Sequence, residues 1–155
     1  MKPMRILALA LLASGLFSVA LFGGDAKSAL KEFGLIGTWS ADCSKDISQP
    51  RTNRLVFAAP SDGGAAATAQ DNNGEAVITT VYEITDAARV ESDKIRVAMH
   101  PVKVTSSDGK PATQHQYDNL SLVFQKVEQR IKVIRVHWEG LPEIDWASFF
   151  EKCPT

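Results

Sequence analysis

The side chains in this chain most able to do chemistry are two cysteines, Cys43 and Cys153, and three histidines, His100, His115 and His137. Redox-active cysteines usually occur as Cys-x-x-Cys, whereas these two lie near opposite ends of the sequence. A zinc site needs further ligands at close spacing, and none flanks either cysteine. The histidines share no metal-ligand spacing either. The sequence therefore predicts no redox motif, no metal site and no cofactor.

Hydroxyl and carboxyl groups also lack a catalytic pattern. Ser106 and Ser107 lie outside any Gly-x-Ser-x-Gly sequence, which marks the nucleophile of many hydrolases. Four other polar side chains could act as acid–base groups at one end of the domain: Tyr82, Glu83, Asp118 and Glu139. Nothing in the sequence pairs them, and solvated carboxylates are much commoner than catalytic ones. We therefore expect a protein without enzymatic activity.

The first 26 residues have the pattern of a secretory signal peptide. Lys2 and Arg5 form a basic start, and residues 6–22 are almost wholly apolar. Small residues permit cleavage after Ala20 or after Ala26. The alternative is an uncleaved membrane anchor, because the apolar stretch is close to the shortest that spans a bilayer. The pattern predicts an exported protein, periplasmic or secreted.

Export would place both cysteines in an oxidising compartment. Two cysteines allow one intramolecular pairing, so a structural disulfide between Cys43 and Cys153 is expected. The alternatives are free thiols and a disulfide between two chains. The predicted bridge would link the start of the domain to its end.

The remaining residues, 27–155, have the length and composition of one ordinary globular domain. The whole chain of 155 residues carries 17 basic and 18 acidic side chains, without a run of like charge. This balance argues against a nucleic-acid partner. No later segment is long and apolar enough to span a bilayer, so no membrane span is expected after signal cleavage.

Strand signals dominate this domain. A short helical turn at 28–34 comes first, where Ser28 can cap and Gly34 can end it. Seven segments rich in β-branched or alternating apolar residues then follow: 35–43, 53–59, 65–70, 75–84, 89–104, 114–127 and 130–138. Sequential hairpins that each have one apolar face predict an antiparallel up-and-down β-barrel of about seven or eight strands, because closure hides the edges of a long meander.

The last segment changes period. Trp146, Phe149, Phe150 and Cys153 are spaced as i, i+3, i+4 and i+7, which is one face of a helix. A short C-terminal helix is therefore predicted, with Cys153 on its apolar face within reach of Cys43. A short terminal strand is the alternative.

Gly37-Thr38-Trp39, which follows the predicted helical turn, resembles the Gly-x-Trp motif of lipocalins and other calycins. In that family a helical turn crosses the base of an eight-stranded barrel, and the Trp packs inside the closed end. The resemblance implies that Trp39 is buried there. The family also carries a late Arg that stacks on this Trp, and Arg130 or Arg135 would have that role. The family's central Thr-Asp-Tyr pattern is absent, because Ala87 follows Thr85-Asp86.

A second resemblance involves both ends of the chain. The segment 37–43, Gly-Thr-Trp-Ser-Ala-Asp-Cys, and the segment 146–153, which has an aromatic pair before its final Cys, are similar to a group of uncharacterised bacterial secreted proteins. This resemblance implies a bacterial periplasmic location, the disulfide and a calycin-like barrel. It implies no activity.

The inward face of the predicted barrel carries the candidate ligand-binding residues: Trp39, Phe57, Tyr82, Met99, Phe124 and Trp138. Barrels of this size are either filled by side chains or hold one small ligand. We expect a small apolar or amphipathic ligand. The alternative function is protein interaction, as in an envelope inhibitor or accessory factor, through a loop at 44–52 or 105–111.

Overall fold

A computed structural model of the protein describes residues 25–111 and 118–155. One helix, α1 (Ala26–Phe33), precedes eight strands: β1 (Gly37–Ser40), β2 (Thr52–Ala58), β3 (Ala66–Asn72), β4 (Val77–Glu91), β5 (Lys94–Ser106), β6 (Leu120–Val127), β7 (Arg130–Trp138) and β8 (Ile144–Lys152). Each strand is antiparallel to the next along the chain, and β8 pairs with β1 to close a barrel. The predicted antiparallel β-barrel is confirmed. The apolar signal-like stretch, His115 and the first residues predicted for the sixth strand lie outside the described residues.

The strand boundaries differ most from the prediction in the long hairpin of β4 and β5. The predicted fourth strand ends at residue 84, whereas β4 continues to Glu91. Bulges between Ile84 and Asp86 and between Arg89 and Glu91 shift the register of the two strands, and pairing with β5 continues on both sides of each bulge. Within the described residues, no helix has the length and hydropathy needed to cross a bilayer.

Helix α1 closes one end of the barrel. Leu30 and Phe33 are spaced by one helical turn and are fully buried, as is Leu35 just after the helix. The Asp25 carboxylate caps the helix by accepting a bond from the Lys27 N–H, whereas the sequence suggested Ser28. Gly34 ends the helix with a φ of 79°, as predicted.

Trp39 lies at this closed end, buried as the resemblance implies. Its indole Nε1 donates to the Leu35 carbonyl oxygen at 2.7 Å, which satisfies the polar atom of the buried ring. The cation over the ring is Lys152, with its Nζ 5.5 Å from the ring centroid. Arg130 lies over Phe149 and Arg135 pairs with Glu143, so the expectation that one of them stacks on Trp39 is wrong.

Gly37 has a backbone conformation that other residues rarely adopt. Its φ is 128°, and a Cβ built there would lie 3.0 Å from Cε of Lys152, the residue that covers Trp39. We expect Gly37→Ala to lower the free energy of unfolding by about 1–3 kcal/mol, through backbone strain and displacement of the lysine.

Urea denaturation measures this effect, with Gly64→Ala as the control. Gly64 has no atom within 4 Å of a built Cβ and no positive φ, so the control should change stability little. Equal losses in the two variants would contradict the role assigned to Gly37.

The C-terminal segment is a strand, β8, so the prediction of a C-terminal helix is wrong. Neighbouring residues of a strand face opposite sides, so Phe149 and Phe150 separate, and a bulge between Asp145 and Ser148 interrupts this alternation at Trp146. Phe150 is buried, whereas Trp146 is 46% and Phe149 41% exposed. Backbone pairing along β7 overrides the helical spacing, because nine residues form too short a helix to persist without packing.

The Cys43–Cys153 disulfide is formed and joins the two ends of the barrel wall, with a Cα–Cα distance of 5.3 Å. It lies beside the junction of β1 and β8, which is short. Only two residue pairs, Trp39 with Lys152 and Ser40 with Glu151, are in register across this junction. One further bond continues it, from the Cys153 N–H to the Thr38 carbonyl oxygen at 2.9 Å.

Candidate functional site

Five of the six side chains predicted to line a ligand cavity lie in the hydrophobic core. Trp39, Phe57, Tyr82, Met99 and Phe124 are each at most 7% exposed. The rings of Phe57 and Phe124 meet edge to face, with centroids 5.6 Å apart. A ligand-sized void would leave exposed surface on the side chains around it, so the barrel is filled beside these five.

Trp138 is the least buried of the six predicted side chains, and Tyr82 is the one that carries an acidic group. Trp138 is half-buried at the opposite end of β7 from α1 and packs against the edge of the core. Tyr82 is buried, and burial raises the pKa of its phenol because the phenolate would lose hydration. Tyr82 therefore stays protonated at neutral pH and is a poor candidate for a general base.

A cleft of about 440 Å³ lies where β5 extends beyond the start of β6. Its volume is within the range of small-molecule sites. Ten residues line it: Thr85, Ala98, Met99, His100, Asn119, Leu120, Ser121, His137, Glu139 and Gly140. We call this the β5–β7 cleft. Met99 is the one predicted ligand-binding residue in its lining.

The floor of the β5–β7 cleft is a row of directly paired residues on three neighbouring strands. Ser121 on β6 is opposite Ala98 on β5 and opposite His137 on β7. Directly opposed side chains share one face of a sheet, so these three lie side by side. The small side chains of Ala98 and Ser121 leave the space that makes the cleft, and His137 borders it.

A hydrogen-bonded chain of three polar side chains forms one rim of the cleft. The Asn119 Nδ2 donates to Oε2 of Glu139 at 2.6 Å, and the Asn119 Oδ1 is 2.6 Å from Nδ1 of His100. A carboxylate only accepts, so the amide nitrogen must face Glu139 and the amide oxygen must face His100. Nδ1 of His100 therefore carries a proton. In the neutral imidazole, Nε2 is left as an acceptor for a ligand hydroxyl or amine.

The backbone holds this chain in place. The Glu139 N–H donates to the Asn119 carbonyl oxygen at 2.9 Å, one residue beyond the last β6–β7 strand pair. The carboxylate and the amide therefore project from neighbouring points of the sheet. Of the four acid–base candidates noted in the sequence, the structure brings only Glu139 into the cleft. Glu83 is exposed on β4, and Asp118 is half-buried just before β6.

Residue spacing in the sequence did not predict this site, because the three histidines share no motif spacing. His100 and His137 are far apart in the chain and meet only through the β5–β6–β7 register. The available signal was alternation, which places both outside the apolar face of their strands. Among the described residues, no three His, Cys, Asp or Glu side chains are arranged to hold a metal ion.

The loop between β1 and β2, residues 41–51, is held by several hydrogen bonds. The Asp42 carboxylate accepts from the hydroxyl and N–H of Ser44, and these bonds lower the pKa of Asp42. The Ser48 N–H likewise lowers the pKa of Asp46. The Asn72 side chain donates to the Ile47 carbonyl oxygen at 2.9 Å, which ties the loop to the end of β3.

No protein family, curated protein or solved structure matches this chain.

Proposed function

We propose that this protein is an exported, non-enzymatic barrel that binds a small amphipathic ligand in the β5–β7 cleft. The observation that carries the proposal is the combination, in one cleft of about 440 Å³, of apolar side chains and a hydrogen-bonded polar rim. Ligand sites typically join a mainly apolar surface to a few placed polar groups.

In the proposed binding mode, the two parts of the ligand contact different sides of the cleft. The apolar part lies on Ala98 and on the partly exposed Leu120. A hydroxyl or amine of the ligand donates to Nε2 of His100, whose orientation Asn119 fixes. The predicted cavity inside the barrel is not needed for this binding mode.

Export is supported by the disulfide. A Cys43–Cys153 bridge persists in the periplasm or outside the cell, whereas cytosolic thiols are kept reduced. Of the two predicted cleavage positions, the one after Ala20 leaves Asp25 on the chain, where it caps α1.

We expect Ser121→Trp to abolish ligand binding, because the indole would fill the floor of the cleft. The measurement has two parts: native mass spectrometry of protein purified from its host, and titration with the apolar dye anilinonaphthalene sulfonate. The expected loss of dye affinity is at least about tenfold, or 1.4 kcal/mol.

The matched control is Thr68→Trp, at an outward-facing position on β3 between Val56 and Val81. This control should bind the dye like the wild-type protein. Absence of any bound molecule and of dye binding in the wild-type protein would contradict the proposal, as would equal dye affinity in both variants.

A second function, protein interaction through the loop at 41–51, is favoured by the filled barrel and by the hydrogen bonds that hold the loop. An envelope inhibitor would present such a loop to its target. Assays of protease and lysozyme inhibition test it, with Ile47→Asp as the loop variant. Equal inhibition by the variant and the wild-type protein would exclude this loop.

A further inference from the structure

Strand β8 has one long unpaired edge. On one side it pairs with β7 from Ile144 to Glu151. On the other side, β1 reaches only Glu151 and Lys152, because β1 ends at Ser40. Within residues 25–111 and 118–155, no strand pairs with that second side between Ile144 and Phe150. A free edge of this length offers N–H and C=O groups to another strand.

Exposed apolar side chains concentrate at this edge. Four of the six large apolar residues exposed in the described structure lie within nine residues of the chain: Leu141, Ile144, Trp146 and Phe149. Trp146 is 46% and Phe149 41% exposed, so exposed apolar surface extends along most of the free edge, across a bulge between Asp145 and Ser148. The bulge and the charge of Asp145 protect this edge only in part, and an exposed apolar cluster of this kind marks an interaction surface.

The two halves of the edge carry opposite charge. At one end, Phe149 has the guanidinium of Arg130 4.8 Å and the ammonium of Lys132 5.4 Å from its ring centroid. The acid at that end, Glu151, accepts a bond from the Cys43 N–H.

The other half of the edge is acidic. Glu143 and Asp145 share one cation there, Arg135, at 3.3 and 3.9 Å, and the Asp145 side chain is 98% exposed. The edge therefore runs from a basic half to an acidic half. An antiparallel arrangement of two such edges brings each basic half to an acidic half.

We propose that the free edge of β8 binds the same edge of a second copy of this chain, in an antiparallel two-fold dimer. The midpoint of the unpaired stretch is Ala147, and a two-fold axis there places Asp145 of one copy opposite Phe149 of the other. That register sets each Asp145 carboxylate beside the Arg130 and Lys132 side chains of the second copy. It also covers both Trp146 side chains. The self-complementary patch is the kind that two-fold dimers use. The dimer involves neither the β5–β7 cleft nor the loop at 41–51.

Sedimentation of the oxidised protein between low micromolar and millimolar concentration tests the proposal. The wild-type protein should reach twice the monomer mass. Asp145→Lys should weaken the dimer at least about tenfold, because each of its two symmetric contacts becomes repulsive. The Arg130→Glu, Lys132→Glu double variant should do the same. A mixture of these two variants should dimerise again, since both contacts are then attractive.

The matched control is Glu83→Lys, an equal charge change at an exposed site on β4, which should dimerise like the wild type. Hydrogen exchange of β8 amides in the wild-type protein is a measurement that needs no variant. The exchange rate should fall as the protein concentration rises, because the dimer covers these amides. The proposal is wrong if the wild-type protein stays monomeric up to millimolar concentration. It is also wrong if Asp145→Lys dimerises as tightly as Glu83→Lys, which would place the interface elsewhere.

Discussion

Replacing Cys43 and Cys153 together by serine is expected to lower the free energy of unfolding by about 4 to 5 kcal/mol. The bridge joins residues separated by 110 positions, so it removes much of the conformational freedom of the unfolded chain. The structure adds a reason for a large effect. The disulfide lies beside the β1–β8 junction, where only two residue pairs are in register, so few other bonds oppose separation of these strands.

Urea denaturation of the double serine variant measures this loss, and the reduced wild-type protein is the control. Reduced protein and variant should have the same midpoint, since both lack the covalent link and keep the same strands. A loss below about 1 kcal/mol would mean that the unfolded chain already keeps its ends together. We also expect hydrogen exchange to increase first in β1 and at the end of β8, because these strands form the junction.

Phe124→Ala is expected to cost about 3–5 kcal/mol, the usual range for loss of a fully buried phenylalanine. Phe124 has no exposed surface, and its ring packs edge to face on Phe57. The substitution would leave a cavity in the middle of the barrel that the strands, held by their hydrogen bonds, close only partly.

The same substitution at Phe149 is the matched control, measured at low protein concentration so that the proposed dimer is dissociated. Phe149 is 41% exposed on the outer face of β8, so its loss should cost about 1 kcal/mol or less. The comparison bears on function as well as stability. If Phe124→Ala costs no more than Phe149→Ala, the interior is loosely filled, and a ligand inside the barrel becomes the better proposal.

Much of the barrel could be predicted from local pattern. Leu55 and Phe57 on β2, and Ile95, Val97 and Met99 on β5, alternate with polar residues, and the structure turns these apolar side chains inward. Period-two alternation is a property of the extended chain itself, so it is visible before any strand has a partner. Gly34 ended the first helix for an equally local reason, because glycine adopts positive φ without strain.

A helix was predicted at the end of the chain, where the structure has strand β8, because the same residues are compatible with a helical and with an extended backbone. Trp146, Phe149 and Phe150 have helical spacing, yet β7 offers a full row of backbone partners and the segment pairs with it. The spacing of these residues carries no information about pairing with β7. That strand lies earlier in the sequence, and its edge becomes available to β8 only when the barrel forms.

The candidate site depended still more on tertiary structure. His100, Asn119 and Glu139 have no motif spacing, and they meet because three strands align in one register. The unpaired edge of β8 likewise follows from β1 ending at Ser40. The antiparallel barrel, most of its inward-facing residues and the Cys43–Cys153 pairing could be predicted from the sequence, because these depend on local periodicity and residue chemistry. The convergence of His100, Asn119 and Glu139 and the open edge of β8 could not be predicted in this way, because both depend on the register between strands that are distant in the sequence.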